Sequence, residues 1–570
     1  MFKKFFTIVI TALVGIVGIG PGSPASATST FSQTFDLPDT TVPNLLIPLS
    51  DNSTIAIWQA RENGGSRVRS ALMSKEGTFT NQQELFNAGN GFAQIGKQSQ
   101  WVRLADGTIA LGFSNAVNAG SNYIAKSYII YTDDGVEWSA PIEVLTTQIK
   151  DDNNCEFEEQ CSYRDPKLAL DGKGNLFFGA VYWESYFVTS SRNGLTWDTP
   201  TEVQVPSGGS AFSTSVIGLS GGGFLTTWAV MTDVGVIRKF SRMASGSTTY
   251  WTRATLLADG LGYSGSRDSL MVQTGIDKYT VVFQLGRNDG SLEFVAKTFD
   301  SKTRAWSSQI SLISPNVGWP TSEYLAVPNA DGGVSIFFSY ALNGSLFSQG
   351  QTAAYIYKTD IKNGLRQGET VSVSSSTSQG FQLIAVRKNF DQTTSLIERE
   401  LSGAARIRSL TGAQTGETTV IPFGFLQNGT PDQVVNVKAA FSPNGNIFMA
   451  GSGNVERKGI VLVQASAPTA NALPSIRGTA KKGSKLTAGA IVFSSFSGIS
   501  ATSYQWYACT TPVPVNTNAK PANCSAISKA KASTFKVTSK QKGKYVTVAY
   551  TNSNPVGTAT MFAPSATKAK

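Results

Sequence analysis

A strand–turn–strand unit that returns about every 55 residues constrains this chain more than any other feature. It reads "LSDNSTIAIW" (49–58), "LADGTIALGF" (104–113), "LDGKGNLFFGAVYW" (170–183), "LSGGGFLTTW" (219–228), "GIDKYTVVFQL" (275–285), "NADGGVSIFFSY" (329–340) and "SPNGNIFMAG" (442–451). A weaker copy, "VRKNFDQTTSLIERE" (386–400), precedes the last. Each copy joins an Asp/Asn/Gly turn to β-branched and aromatic residues, the signature of hairpin strands. The unit at 99–145 reads as four strands: "SQWVRLA", a tight Asp106-Gly107 turn, "TIALGF", a longer loop "SNAVNAGSNY", "AKSYIIYT", a second turn, and "APIEVL". Four antiparallel strands repeated around a ring make a β-propeller. Seven or eight blades are expected over residues 31–465, because a terminal strand can complete the last blade. A row of β-sandwich domains is the rival, disfavoured by the regular period and the missing linkers before residue 466.

The second turn of that unit carries a more specific signal. Tyr131 to Trp138 resembles the Asp-box, or bacterial neuraminidase repeat, of sialidase-like propellers, matching at Asp133, Gly135 and Trp138. Ser190 to Trp197 matches at Ser190, Gly194, Thr196 and Trp197, with Arg192 in place of the Asp. "FDSKTRAW" (299–306) keeps the Trp alone. An Asp carboxylate accepts N–H groups across a turn, Gly takes positive φ, and Trp packs between strands, so these are expected to be fold residues. The resemblance implies that ligands meet the opposite face, where second-to-third-strand loops and blade-to-blade loops lie.

On that face the resemblance implies a carboxylate-binding arginine cluster. Arg164 starts "RDP", which resembles the Arg-Ile-Pro motif of sialidases with Asp165 for Ile, although here it follows the first box. Arg267 sits two units later and Arg287 in a second-to-third loop. Planar guanidinium donors suit a carboxylate; pairing of Arg164 and Arg267 with carboxylates at blade junctions is the alternative. A sialidase also needs a Tyr nucleophile, a neighbouring Glu and an acid/base carboxylate. The candidates are Tyr340, Glu323 and Asp165, with Glu184 as an alternative acid. Trp183, Tyr182 and Tyr186 are expected either to stack on sugars or to pack in the sheet. In "KDDNNCEFEEQC" (150–161), Asp151, Asp152, Glu156, Glu158 and Glu159 are weak candidates for a calcium site, against a solvated acidic loop. No cofactor is otherwise expected.

The N-terminus reads as a signal peptide over residues 1–27: Lys3 and Lys4, an apolar run from Phe5 to Ile19, and Ala25-Ser26-Ala27 for cleavage. A membrane anchor is the rival reading. No later run is apolar enough to span a bilayer, so the mature chain is expected to be secreted or held at the cell surface, without a transmembrane segment. The four cysteines form two local pairs, Cys155 with Cys161 and Cys509 with Cys524, and both pairs read as disulfides. Their spacing does not suit zinc. The chain contains no histidine, which excludes His-based triads, His metal sites and His general acids.

The net charge of +10 is carried by the tail. Residues 466–570 hold 13 Lys and Arg and no Asp or Glu, which leaves 35 basic and 38 acidic residues in 1–465. Residues 466–474 read as a linker. Beyond it, 475–566 resembles the immunoglobulin-like repeats of actinobacterial surface proteins through its "YQWYAC" and "GKYVTV" stretches. This basic module is expected to hold anionic cell-envelope polymers, or to act as a spacer. The expected function is a monomeric surface propeller that binds glycans or other surface polymers and no nucleic acid. An exo-acting glycosidase of the sialidase type is the alternative, and a structural adhesion protein the second alternative.

Overall fold

Among the described residues, eight antiparallel sheets follow one another along the chain, and each packs on the next. This is a computed structural model that describes residues 32–570 except 37–41, 63–64, 90–91, 96–99, 119–122, 149–161, 183, 204–209, 232–236, 246–249, 262–268, 287–291, 318, 321–323, 330, 342–353, 375–380, 390–392, 401–404, 412–413, 422–425, 428–429, 432–433, 454–457, 464–466, 471–473, 490, 492, 495–501, 516, 555 and 566. Within those residues the first sheet is Leu45–Pro48, Thr54–Glu62, Gly65–Met73 and Phe79–Asn87. The second centres on Ile109–Asn118 and Tyr123–Thr132, the third on Arg164–Leu170 and Leu176–Tyr182, and the fourth on Ser210–Gly218 and Phe224–Met231. Lys278–Gly286, Val334–Ala341 and Thr394–Glu400 are second strands of the fifth, sixth and seventh. The eighth joins Val434–Phe441, Ile447–Gly453 and Lys458–Val463 to the N-terminal strand Ser32–Asp36, with Ser32 opposite Val463 and Asp36 opposite Gly459. Successive sheets pack in order, and the first strand of the first sheet lies beside that of the eighth, so the fold is a closed β-propeller.

Strand periodicity explains the closure. Successive side chains point to opposite faces of a sheet. Leu45, Ile47, Ile55 and Ile57 therefore join Ile109, Leu111 and Phe113 of the second sheet, while Leu46, Ala56 and Trp58 join Phe448, Ala450 and Leu462 of the eighth. Among the described residues, each neighbouring pair of sheets shares such a buried apolar cluster.

Six of the first-to-second-strand turns share one geometry. The N–H groups of Leu49, Leu104, Asp171, Leu219, Asn329 and Ser442 donate to the carbonyl four residues on. Asn52, Gly107, Gly174, Gly222, Gly332 and Gly445 close these six turns at positive φ, between 73° and 101°. That backbone favours Gly or Asn, which is why the turn recurs legibly in the sequence.

Two sequence expectations change. The "SNAVNAGSNY" loop is mostly strand: Ile109–Asn118 runs past Phe113, and the third strand begins at Tyr123. Ser114 and Asn115 look like loop residues but are fully buried, and the Ser114 hydroxyl lies 2.9 Å from that of Ser127. The weak copy at 386–400 is a full strand pair of the seventh sheet, Phe381–Lys388 with Thr394–Glu400.

After the propeller, two small sheets enclose a second core. One is Ile476–Arg477, Lys485–Ala488 and Thr534–Lys536; the other is Cys524–Ala526, Ser503–Cys509, Tyr545–Asn554 and Gly557–Phe562. Trp506, Leu486, Val537, Val548 and Tyr550 are buried between them. Thr469–Ala470, in the expected linker, pairs with Phe493–Ser494 of this part of the chain. Cys509 and Cys524 face each other across a strand pair and are disulfide-bonded. The other expected disulfide, between Cys155 and Cys161, falls outside the described residues. No helix among the described residues is long and apolar enough to cross a membrane.

Candidate functional site

Many of the expected site residues fall outside the described residues. These are Arg267, Arg287, Glu323 and Trp183, and the acidic residues Asp151, Asp152, Glu156, Glu158 and Glu159. Cys155 and Cys161, in the same acidic stretch, lie outside them too, so a bond between these two cysteines stays an expectation of the sequence. Tyr340 is placed by its backbone alone, in the second strand of the sixth sheet opposite Tyr355. Among the described residues, no group of three metal-ligating side chains is assembled.

Arg164 and Asp165 stand in a β-bulge of the third sheet's first strand. Asp165 takes positive φ, 55°. Its carboxylate lies 2.8 Å from Nζ of Lys167, an ammonium only 3% exposed. Thr214 Oγ1 of the fourth sheet donates to the same carboxylate at 3.4 Å, and the Asp165 N–H donates to Gln94 Oε1 of the second sheet at 3.3 Å. Asp165 thus ties three sheets together. Arg164 is exposed beside it, and Glu184 is exposed at the end of the next hairpin. Tyr186 is fully buried against Trp228, so it packs in the sheet and offers no sugar platform. Tyr182 is half-buried against Tyr163.

The turns that resemble the Asp-box are built differently from their sequence alignment. The carboxylate that accepts N–H groups is that of Asp134, from Val136 at 2.8 Å and Glu137 at 3.0 Å. Asp133 instead accepts from Thr108 Oγ1 of the neighbouring turn at 2.6 Å. In the second copy Asn193 fills the anchoring position, accepting from Leu195 and Thr196, each at 2.9 Å. Arg192 is therefore no defect in that turn, because an amide oxygen one position later does the accepting. Asp300 accepts from Lys302 and Thr303 in the same manner. Each turn is wedged against the preceding sheet. A Cβ on Gly135 (φ 75°) would lie 2.7 Å from Ile55 Cγ1, and Tyr131 donates its hydroxyl to Gly194 O at 2.7 Å.

These bonds set an acid limit on the turn face. Backbone N–H donors hold the Asp134 carboxyl below its usual range, and Lys278 with the turn N–H groups holds that of Asp300 at about 2. A depressed folded pKa stabilises above the unfolded value, about 4, and that stability is lost as pH falls through the folded value. Thermal stability should therefore fall between about pH 4 and pH 2. Asp134→Asn, which copies Asn193, should keep the neutral-pH melting temperature and remove part of the acid loss; melting curves across this range check it.

A recurrent dipeptide was not singled out in the sequence. Trp138-Ser139, Trp197-Asp198, Trp251-Thr252 and Trp306-Ser307 each follow the turn, and the second residue donates its N–H back to the third strand, at Tyr131, Ser190, Met243 and Thr298. A spacing of Trp plus Ser/Thr/Asp would have found it. Trp138 is partly buried against the core shared by the first two sheets, and its Nε1 donates to Gly135 O at 3.3 Å. Trp138→Ala should cost about 2–4 kcal/mol, below the loss of a fully buried Trp. Ligand affinity of the folded fraction should be unchanged; a denaturation midpoint and a binding isotherm on the same sample check both.

One concavity formed by the described residues is axial. It encloses about 870 Å³ between the first strands of the first, second, sixth, seventh and eighth sheets. It reaches the turn end of the axis at Ser50, Gly107, Pro328 and Pro443, rather than the opposite face, whose loops lie largely outside the described residues. Its charged lining is Arg103, Arg387, Lys388 and Lys438, with no carboxylate among the lining residues. Arg103 donates to Pro48 O of the first sheet and to Gly107 O at 3.3 Å; Arg387 donates to Ser442 O of the eighth at 3.3 Å and lies 5.8 Å from the Phe441 ring centroid. Burial lowers both guanidinium pKa values. Carbonyl acceptors orient these arginines but do not neutralise them.

No family model matches this sequence, and no curated protein matches it. Solved structures that align with it include a Hadza microbial sialidase, at 12% identity and a TM-score of 0.33 over 63% of this chain and 73% of that one. A polysaccharide lyase aligns at 10% identity and a TM-score of 0.37, over 64% and 88%. The β-propeller domain of the Trilobed protease from Pyrococcus furiosus aligns at 9% identity and a TM-score of 0.36, over 67% and 98%.

Proposed function

We propose that this chain is an exported, surface-associated propeller that binds an acidic glycan in its axial concavity and does not cleave it. The observation that carries the reading is the composition of that lining: among the described residues it includes two arginines and two lysines and no Asp or Glu. Such a lining attracts carboxylate- or phosphate-bearing sugars, and Trp101 with the aliphatic first strands supplies apolar surface for ring faces. Glycosidic cleavage by the usual route needs an acid at the bond, and this lining supplies none. Export is supported by the N-terminal sequence pattern and by the Cys509–Cys524 disulfide.

The test sets the mature protein against a polyuronate and a neutral glucan of equal length. Retention by the polyuronate alone is expected. Lys438→Gln should weaken it about tenfold, the effect of losing one hydrogen bond to a charged group. Equal binding to both polymers would overturn the reading. The sialidase alternative is favoured instead if the same protein hydrolyses a fluorogenic sialoside and Arg164→Ala abolishes the activity.

A further inference from the structure

In the C-terminal part of the chain, Lys485 and Lys536 stand directly opposite each other across an antiparallel strand pair, and both are exposed. Like charges at such a position destabilise a sheet. Residues 466–570 contain no acidic side chain to relieve them.

The backbone draws further lysines to the same edge. Gly483 N donates to Val537 O, and Val537 N to Ser484 O, each at 2.9 Å. Lys482 N donates to Lys570 O at 3.0 Å, and Gly543 N to Ala569 O at 2.8 Å. Segments 481–485, 536–544 and 568–570 are therefore stitched into one ridge. Their lysines include Lys481, Lys482, Lys542 and Lys544, all exposed. The ridge lysines form no ion pair among the described residues. A fold that keeps this repulsion on one edge is stabilised by whatever anion neutralises it.

We infer that this lysine ridge is a binding site for a linear, phosphate-bearing polyanion, separate from the axial concavity. The side-chain chemistry selects the class. Twelve of the 13 cations in 466–570 are lysines, compact point charges that suit closely spaced phosphates; the planar fork that reads single carboxylates occurs once, at Arg477. The row follows hydrogen-bonded chain segments, which suits a polymer lying along it. A bilayer would call for apolar side chains among the cations, and among the described residues the exposed large apolar ones of this part of the chain, Val515 and Val556, belong to other segments.

The test uses the full-length mature protein and long-chain inorganic polyphosphate. Affinity should fall linearly with the logarithm of salt concentration. Lys536→Glu replaces the facing like charges with an opposite pair. It should raise the melting temperature, lower polyphosphate affinity about fivefold and reduce the salt slope by about 1. Gain of stability with loss of binding separates this outcome from misfolding. Lys529→Glu, the same charge change in the turn beside Trp506, should alter affinity less than about twofold. Equal losses from Lys536→Glu and Lys529→Glu would mean that net charge alone binds, and would sink the ridge. Unchanged affinity in Lys536→Glu, or binding to vesicles of phosphatidylcholine with anionic phosphatidylglycerol but not to polyphosphate, would also overturn it. Lys438→Gln should leave the fivefold loss caused by Lys536→Glu unchanged, and Lys536→Glu should leave polyuronate retention unchanged, so failure of the axial reading is told apart from failure of this one.

Discussion

Arg408→Ala is expected to destabilise the propeller by about 3–5 kcal/mol, the loss that follows when one partner of a buried ion pair is removed. Glu398, on the second strand of the seventh sheet, is 0% exposed. Arg408, on the third, donates to it through Nε at 2.9 Å and Nη2 at 2.7 Å. The guanidinium also lies 5.6 Å from the Phe381 ring centroid. Truncation leaves this buried carboxylate without its cation. Exchanging both partners for apolar residues, Glu398→Leu with Arg408→Met, should recover most of the loss, because the desolvation penalty disappears with the charges. Urea unfolding of the three proteins decides it. A single-variant loss under about 1 kcal/mol would show that water reaches Glu398.

Trp506→Ala should cost a similar amount, about 3–5 kcal/mol, but in a different place. Its ring is 0% exposed, stacks on Phe535 at 5.5 Å, and its Nε1 donates to Ala532 O at 2.9 Å. The core around it is small, so this loss is a large share of what a module of that size holds. Limited proteolysis should therefore cut selectively beyond residue 474 while the propeller persists. Simultaneous loss of both parts would mean that they fold as one unit.

The sheets were legible because their turns demand particular residues. Six turns that need positive φ use Gly or Asn, and the strands between them alternate. Legibility failed where polar residues are buried. Glu398 breaks the apolar alternation of "TSLIERE", so this copy looked weak, yet it is satisfied inside the sheet by Arg408 of the next strand. Ser114 and Asn115 read as loop for the same reason. The box alignment missed by one residue because Asp133 and Asp134 are adjacent, and only the hydrogen bonds distinguish them.

The candidate sites were harder to read because they are not local. The axial lining gathers Arg103, Arg387 and Lys438 from three sheets, with no spacing that a sequence pattern can record. The excess charge of the tail was plain from composition, whereas its facing lysines follow from register.

The strand Ser32–Asp36 completes the eighth sheet, whose other members begin only at Val434. That arrangement imposes an order of events on a chain that is made from its N-terminus. The earliest strand must wait, unpaired, while nearly the whole ring is assembled, and the final blade arrives with its outer edge open. Until the two meet, both ends present free backbone groups to any passing strand, including that of a second molecule. Closure is thus the last and longest-range contact the ring makes, the kind of step that slows folding. A chain released without its first strand would carry an adhesive edge of its own.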